Sequence, residues 1–599
     1  MNANLRYWEY YGLQEKFDSL YQGSKEGQTF NKLYELIISE ENILLAYRTI
    51  KSNKGSKTAG VDFHTIDEFK QMNKDVFVST IRKALDNYKP KAVKRVMILK
   101  PNGKMRPLGI PSMIDRIIQQ MIKQVIEPIC ESKFFKHSYG FRPQRSTHHA
   151  VARCTYLINH SQVHYAVDID IEGFFDNVNH TLLLKQLWNI GIRDRIVLKI
   201  ISKMLKAPIK GIGIPTKGTA QGGILSPLLS NVVLNDLDQW VANQWEQFDT
   251  KFKYKYAFDR YVAQKKTKLK IGFIIRYADD FKILTNSYKN ANKWFHAVKQ
   301  YLKYRLKLDI SPDKSKIVNL KKNKSQFLGF TIGSFPKKKK HLASSKMNKK
   351  KMDNIKKSAR QLIRKLSNEP NTKNAMRYNS FVLGLHNYFK IGSHIYIDFA
   401  RIGYDLRTTM MNRLKTNGSY GMPENPPPSY KKLYKNEFKT WKVAGVYLYP
   451  IADIDTTIPI NFNQLISPYT EKGRTFIHKK LKNHVKFGIQ KLLNTFDESN
   501  TTEYLDNRIS RYSMKDGKCE ITNEFLSASE VHCHHFLPKS LGGDDSFNNL
   551  RVVHKFVHIL IHATNSETID RYLKLIKPSS KQLTKINQYR LKCNLTEII

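Results

Sequence analysis

Gly272-Phe-Ile-Ile-Arg-Tyr-Ala-Asp-Asp-Phe-Lys-Ile-Leu-Thr285 sets two short apolar runs around the adjacent carboxylates Asp279 and Asp280. Apolar runs of this length on either side of a short polar break predict a β-hairpin with the acids at its tip. Adjacent acids repel each other and gain nothing from an apolar core. A divalent cation accounts for their pairing, because carboxylate oxygens suit Mg²⁺. Carboxylates so aligned can serve a two-metal phosphoryl transfer. Elsewhere Asp544-Asp545 reads as a plain solvated acidic turn.

A two-metal site needs a further carboxylate from another segment. Tyr165-Ala-Val-Asp-Ile-Asp-Ile-Glu-Gly-Phe-Phe-Asp176 offers Asp168 and Asp170, two apart on an expected strand spanning 163–171 and therefore on one face. Either could hold metal, and an Asp at a strand end is often only a cap. A polymerase making DNA also needs a bulky ring near the incoming sugar to exclude a 2′-hydroxyl. Phe175 lies five positions after Asp170, in the turn after the strand.

The chain has 599 residues, with 101 Lys and Arg against 51 Asp and Glu, for a net charge of +50. Such length predicts several domains. The charge excess far exceeds any solubility need and implies a polyanionic partner, most simply nucleic acid. No apolar run is long enough to span a bilayer, so no membrane partner is expected. Met1-Asn-Ala-Asn-Leu-Arg-Tyr-Trp-Glu-Tyr10 lacks the apolar core of a signal peptide, and five scattered cysteines (130, 154, 519, 533, 593) argue against a disulfide framework. The expected compartment is the cytoplasm, with nucleoid association when on DNA.

Along the chain, residues 1–90 read as polar and helical, 93–99 as a strand and Lys100-Pro-Asn-Gly-Lys104 as a turn. Ile114, Ile117, Ile118, Met121, Ile122, Val125 and Ile129 follow at helical spacing. Between Lys337 and Leu366 stand 13 basic residues and one acid, Asp353; Met352, Ile355, Ala359, Ile363 and Leu366 place them on a helix with one very basic face. Pro426-Pro-Pro428 marks a linker, and a compositional shift near Arg511 marks a small terminal domain.

The segment order resembles a reverse transcriptase, in particular the multidomain enzymes encoded by bacterial group II introns. Gly103-Lys-Met-Arg-Pro-Leu-Gly-Ile-Pro111 with Lys100 resembles the fingers, and Ser138-Tyr-Gly-Phe-Arg-Pro143 the next block. Asp170-Ile-Glu-Gly-Phe-Phe175 resembles the palm motif that starts with the metal-binding aspartate and ends with the aromatic gate, which favours Asp170 over Asp168. Gly218-Thr-Ala-Gln-Gly-Gly-Ile-Leu-Ser-Pro227 resembles the motif beneath template and nucleotide, Tyr277–Asp280 the catalytic hairpin, and Pro312-Asp-Lys-Ser315 and Phe327-Leu-Gly-Phe330 the later palm and primer-grip motifs. The resemblance implies a right-hand polymerase fold (fingers and palm) in a multidomain α+β chain. Asp170, Asp279 and Asp280 would hold two Mg²⁺ ions and carry catalysis. Lys100, Arg106, Phe175, Gln221, Gly222 and Lys314 would bind the nucleotide, with the Gln221-Gly222-Gly223 backbone approaching the base pair closely.

Tyr378-Asn-Ser-Phe-Val-Leu-Gly-Leu-His-Asn-Tyr-Phe389 resembles the intron maturase (X) domain, a helical thumb that also binds RNA. Residues 430–510 mix Lys with Tyr, Trp and Phe, which suits nucleic acid; in the family this region binds DNA. The expected division is 1–90 N-terminal extension and fingers, 91–335 fingers and palm, 336–425 thumb/maturase, 426–510 DNA-binding and 511–599 nuclease.

That last region carries His534-His535, Asn549, His558 and His562. His558 and His562, four apart on a helix expected to begin near Asn549, share a face and with His534 form a metal-ligand set. His535 points elsewhere, free as a general base for water, with the Asn549 amide to orient it. The whole run resembles the ββα-metal HNH endonucleases, which implies a divalent metal, Mg²⁺ or similar. Structural zinc is not expected, because the Cys-x-x-Cys pairs of many family members are reduced to Cys519-Glu-Ile-Thr522 and His554-Lys-Phe-Val557, with Cys533 the single compensating candidate.

The combined expectation is a group II intron-encoded RNA-directed DNA polymerase, maturase and HNH DNA endonuclease, working by target-primed reverse transcription. Its partners would be intron RNA, target DNA, primer–template and dNTPs. Polymerase and nuclease are expected to be joined only by the chain and bound nucleic acid. The alternatives are a domesticated or defence-associated reverse transcriptase, and a non-catalytic RNA-binding splicing factor.

Overall fold

A computed structural model of the chain describes residues 6–99, 103, 105–494 and 500–599. Lys100 lies outside the described residues, as does most of its turn. The chain forms two compact units of mixed α and β structure, each discontinuous in sequence. One comprises residues 1–134, 175–232 and 465–599; the other comprises 135–174 and 233–464. Among the described residues no helix is long and apolar enough to cross a membrane.

In the first unit β1 (Lys94–Leu99), the expected strand, pairs antiparallel with β2 (Met105–Ile110), a strand not expected from the sequence, with Leu99 opposite Met105. The helix Met113–Lys133 follows, capped by Ser112, whose hydroxyl accepts from Asp115 N. Of its expected apolar positions, Ile117 through Ile129 are fully buried.

The centre of the second unit is an antiparallel sheet in the order β4-β5-β3-β6, from β3 (Tyr165–Ile169), β4 (Phe273–Tyr277), β5 (Asp280–Thr285) and β6 (Lys316–Asn319). β4 and β5 are buried almost continuously, without the alternation of a half-exposed sheet. The helix Tyr288–Gln300 packs on β3, β5 and β6 through Ala291, Trp294 and Val298, at helical spacing. A meander follows from β7 (Ser325–Phe327), β8 (Phe330–Lys337) and β9 (Lys340–Met347). Helices Lys349–Asn368, Thr372–Phe389 and Ile395–Leu414 come next, the first packed on the other two. Its buried residues are Met352, Ile355, Ala359, Ile363 and Leu366, so the basic face is the outward one, as the spacing predicts. The maturase-like run lies on the second helix, where Tyr378 and Phe389 are core residues. A small sheet of β10 (Gly418–Gly421), β11 (Thr440–Val443) and β12 (Val446–Tyr447) closes this unit.

The C-terminal part of the first unit pairs β13 (Val531–His535) antiparallel with β14 (Leu550–His554), followed by the helix Lys555–His562. The helix therefore starts six residues after Asn549, not at it. Val552 and Val553 favour a strand, β13 supplies the partner, and His554 caps the helix by accepting Phe556 N–H on its ring.

A second expectation also fails: residues 511–599 are not joined to the rest by chain connectivity alone. Buried Asp506, on helix Thr502–Met514, accepts from Arg48 at 2.9 Å and Tyr11 at 2.7 Å and pairs with Lys51. From the same helix Tyr504 donates to Cys533 O at 3.0 Å and Arg511 to Leu550 O at 2.6 Å. This helix ties β13 and β14 to the N-terminal helices.

Candidate active sites

The hairpin turns through Ala278 and Asp279, with Tyr277 opposite Asp280. Ala278 has φ +58°, a left-handed conformation that costs an L-residue energy and persists only where neighbours enforce it. Arg276, fully buried, supplies that enforcement. Its Nε lies 2.9 Å from both Asp238 carboxylate oxygens, Nη2 donates to Asp238 Oδ2 at 2.6 Å, and Nη1 donates to Ala278 O at 2.9 Å. The Ser138–Pro143 motif runs alongside, and Tyr139 N donates to Arg276 O at 2.8 Å. Gly140 is pressed so close that a Cβ would lie 2.2 Å from Ala278 N. Neither Arg276 nor Asp238 was singled out from the sequence; the available signal was an arginine inside an otherwise apolar strand. Asp238→Ala strips a buried guanidinium of its carboxylate at a cost of about 3–5 kcal/mol. It should lower the unfolding midpoint and depress polymerisation more than Asp238→Asn does, read by urea melts and primer extension.

Asp168 and Asp170 have different surroundings. Asp168 accepts from buried Lys282 Nζ at 2.7 Å and from Ser325 Oγ at 2.7 Å. Asp170, just past β3, is 43% exposed and meets Lys314 Nζ at 2.8 Å. Its backbone N–H donates to Ser315 Oγ at 3.2 Å, so the Pro312–Ser315 motif lies against it. Asp168 is thus committed to a buried pair, whereas Asp170 is accessible. Asp280 is open to solvent on one side but densely surrounded by protein. That crowding pushes its carboxyl up to about 6; Lys282 opposes the rise, while the negative charges of Asp168, Asp279 and Asp170 add to it. Hard oxygen donors in mutual repulsion fit a divalent cation such as Mg²⁺.

Asp170, Asp279, Asp280 and Lys314 belong to one unit, and Arg106, Phe175, Gln221 and Gly222 to the other. Within the latter, Arg106 is exposed on β2, and half-buried Phe175 accepts Thr219 N–H on its carbonyl at 2.7 Å. Gln221 O accepts from Gly109 N at 2.8 Å. Gly222, at φ +121°, would carry a Cβ 2.6 Å from Gly109 O, so its close approach is to β2. Arg95, Pro107, Asp176, Thr219 and Gln221 help line a cavity of about 280 Å³ here.

On β13, alternation puts His532 and His534 on one face and Cys533 and His535 on the other. One ring nitrogen each of His534, His558 and His562 lie within 4.8 Å of one another, as the ligand reading requires. Burial, then neighbouring imidazoles, push His534 down to about 3 and His558 to about 2; burial also lowers His562. All three rings are therefore neutral donors. Among the described residues, the buried Nε2 of His534 has no hydrogen-bond partner. A divalent metal with affinity for imidazole nitrogen fits this set. His532, overlooked in the sequence, stacks on His558 with centroids 3.5 Å apart.

His535 is not free. Its Nε2 lies 2.7 Å from Asp545 Oδ1, and its ring stacks on Tyr504. Asp545 is no solvated turn either: it is buried. Burial alone would raise its carboxyl, but hydrogen bonds from His535, Thr501 and Lys539 hold it at about 2. The Asn549 amide does not reach His535. It accepts from Leu537 N at 2.8 Å and donates to Leu537 O and Asp544 O at 2.9 Å, closing the loop that carries Asp545. Cys533 is packed with Tyr504 and Leu550 in the core, away from the histidine face, and Cys519 Sγ accepts backbone N–H groups of Ile521, Thr522 and His554.

A family model, reverse transcriptase (RNA-dependent DNA polymerase), matches residues 98–332. Protein YkfC of Escherichia coli K12 is 32% identical over 305 residues, which cover 48% of this chain and 79% of that protein. This chain belongs to the reverse transcriptase family. The chain is also 30% identical over 347 residues to the group II intron-encoded protein LtrA of Lactococcus lactis subsp. cremoris, covering 51% of this chain and 57% of LtrA. A putative COX1/OXI3 intron 1 protein of Saccharomyces cerevisiae is 27% identical over 339 residues, covering 51% of this chain and 40% of that protein. The match thus spans little more than half the length of LtrA.

Proposed function

We propose that this chain is an RNA-directed DNA polymerase encoded by a group II intron, also acting as maturase and carrying an HNH-type DNA endonuclease. The observation that carries the polymerase reading is the braced turn presenting Asp279 and Asp280 in one unit with accessible Asp170. Asp170, Asp279 and Asp280 would hold Mg²⁺, which when bound activates the primer 3′-hydroxyl and neutralises the dNTP triphosphate. Lys314, paired with Asp170 at 2.8 Å, is positioned to exchange that carboxylate for a phosphate oxygen. Arg106 and Lys100 are the fingers cations for the triphosphate, Arg106 in bidentate form. Asp168 holds Lys282 beneath the sheet and takes no metal. Asp170→Asn should therefore damage extension far more than Asp168→Asn in a folded protein; the reverse order overturns the assignment.

Phe175 is the sugar gate. Phe175→Ala should raise ribonucleotide incorporation by roughly 10–100-fold, the scale on which a pocket rejects one added hydroxyl. Single-nucleotide extension with paired dNTP and rNTP substrates checks this, and unchanged sugar selectivity removes the role.

Residues 336–425 supply the thumb and maturase surface, with the basic face of helix Lys349–Asn368 meeting intron RNA, and 426–510 the DNA-binding region. In 511–599, His534, His558 and His562 would hold a divalent ion, which when bound stabilises charge on the scissile phosphate. His535 takes the proton from the attacking water. Asp545 engages Nε2, leaving Nδ1 as the accepting nitrogen. The sequence of events is cleavage of one target DNA strand, then copying of intron RNA from the new 3′ end.

A further inference from the structure

The segment between the helix Ser226–Asn243 and β4 opens with Lys251-Phe-Lys-Tyr-Lys-Tyr256, and residues 251–270 hold eight Lys and Arg against one acid, Asp259. Three of its rings stand in solvent: Phe252 is 67% exposed, Tyr256 59% and Phe258 72%. Exposed lysines alone are what any solvated surface carries. Exposed rings interleaved with them are different, because each ring forgoes burial that the fold does not supply.

The segment is fixed on its other side. In the helix Ala257–Lys265, Arg260 Nη2 donates to Glu246 O at 2.7 Å, buried Gln264 donates to Trp245 O at 3.2 Å, and Tyr261 Oη donates to Ser161 O at 3.1 Å. Residues 260, 261 and 264 share one face, and Phe258 and Val262 lie exposed away from it. The anchored helix thus turns Phe258 outward and is led into by the alternating cations and rings of 251–256.

We propose that residues 251–266 form a docking surface for single-stranded nucleic acid, with the lysines on phosphates and Phe252, Tyr256 and Phe258 stacked on bases. The proposal rests on the polymerase reading and adds a second contact for its template or displaced strand. A double helix hides its base faces and gives the rings nothing to stack on. An apolar protein partner would have to strip water from the ammonium groups between the rings. A single strand satisfies both residue types at once.

The test uses the full chain and a fluorescein-labelled 20-nucleotide single strand, as RNA and as DNA, with affinity followed against salt by anisotropy. Replacing Lys251, Lys253 and Lys255 together by Ala should lower the slope of log K against log salt by about 2, at roughly 0.7 per lost phosphate contact. Phe252→Ala with Phe258→Ala should weaken single-strand binding at least about 10-fold at every salt concentration, leaving the slope and duplex binding unchanged. Loss with RNA, with DNA or with both supports the surface and says which strand it takes. Unchanged affinity and slope in both folded variants overturns it, as does an effect seen only on phosphatidylserine vesicles. Extension of a short annealed primer at saturating template should survive both sets. Absence of extension in the wild type would strike the polymerase reading instead.

Discussion

Asp279→Asn is expected to abolish DNA synthesis on an RNA template while leaving RNA affinity near that of the wild type. The substitution keeps the size and shape of the side chain and removes its negative charge. Arg276 still holds Ala278 O, and Asp238 still holds Arg276, so the turn is preserved. What is lost is one carboxylate of a set in which burial, with the neighbouring negative charges adding to it, lifts Asp280 to about 6. Removing one preorganised charge at a reacting phosphate costs roughly 10²–10³-fold or more. Relief of repulsion should stabilise the fold slightly, so loss of activity by unfolding is not expected. A melting curve and RNA binding on the same preparation separate the two causes. Full extension by Asp279→Asn would remove the palm assignment.

Under the proposed function, His535→Ala is expected to stop DNA-strand cleavage and to spare primer extension. Loss of a general base costs roughly 10²–10⁴-fold. The ligand set is untouched, because His535 lies on the opposite face of β13 from His534. Co²⁺ or Zn²⁺ binding to the variant should therefore match the wild type. Asp545 keeps Thr501 and Lys539 as partners, so its burial remains compensated. The variant also loses the stack on Tyr504, whose helix reaches the N-terminal helices through Asp506. A melting curve must accompany the assay for that reason. Normal cutting by folded His535→Ala protein would delete the HNH mechanism and leave the reverse transcriptase standing.

The features legible in the sequence were those with a local period. The hairpin showed because two apolar runs bracket an acid pair, and the helices Met113–Lys133 and Lys349–Asn368 because their apolar residues recur at helical spacing. The choice of Asp170 over Asp168 came from motif order, and the structure adds a physical reason, since Lys282 and Ser325 already occupy Asp168. The features not legible are pairings between distant positions. Arg276 with Asp238, His535 with Asp545 and Arg48 with Asp506 leave no periodic trace, because each partner looks like an ordinary charged residue in its own segment. The run Leu550–His554 was short enough to suit a strand or the start of a helix, and only the pairing with β13 decides between them.

The most direct measurement is extension of a DNA primer annealed to an RNA template by the wild-type chain, with and without Mg²⁺. The expected result is cDNA reaching the template end with Mg²⁺ and none after chelation. No cDNA from folded, RNA-binding protein, or equal synthesis without a divalent ion, would contradict it.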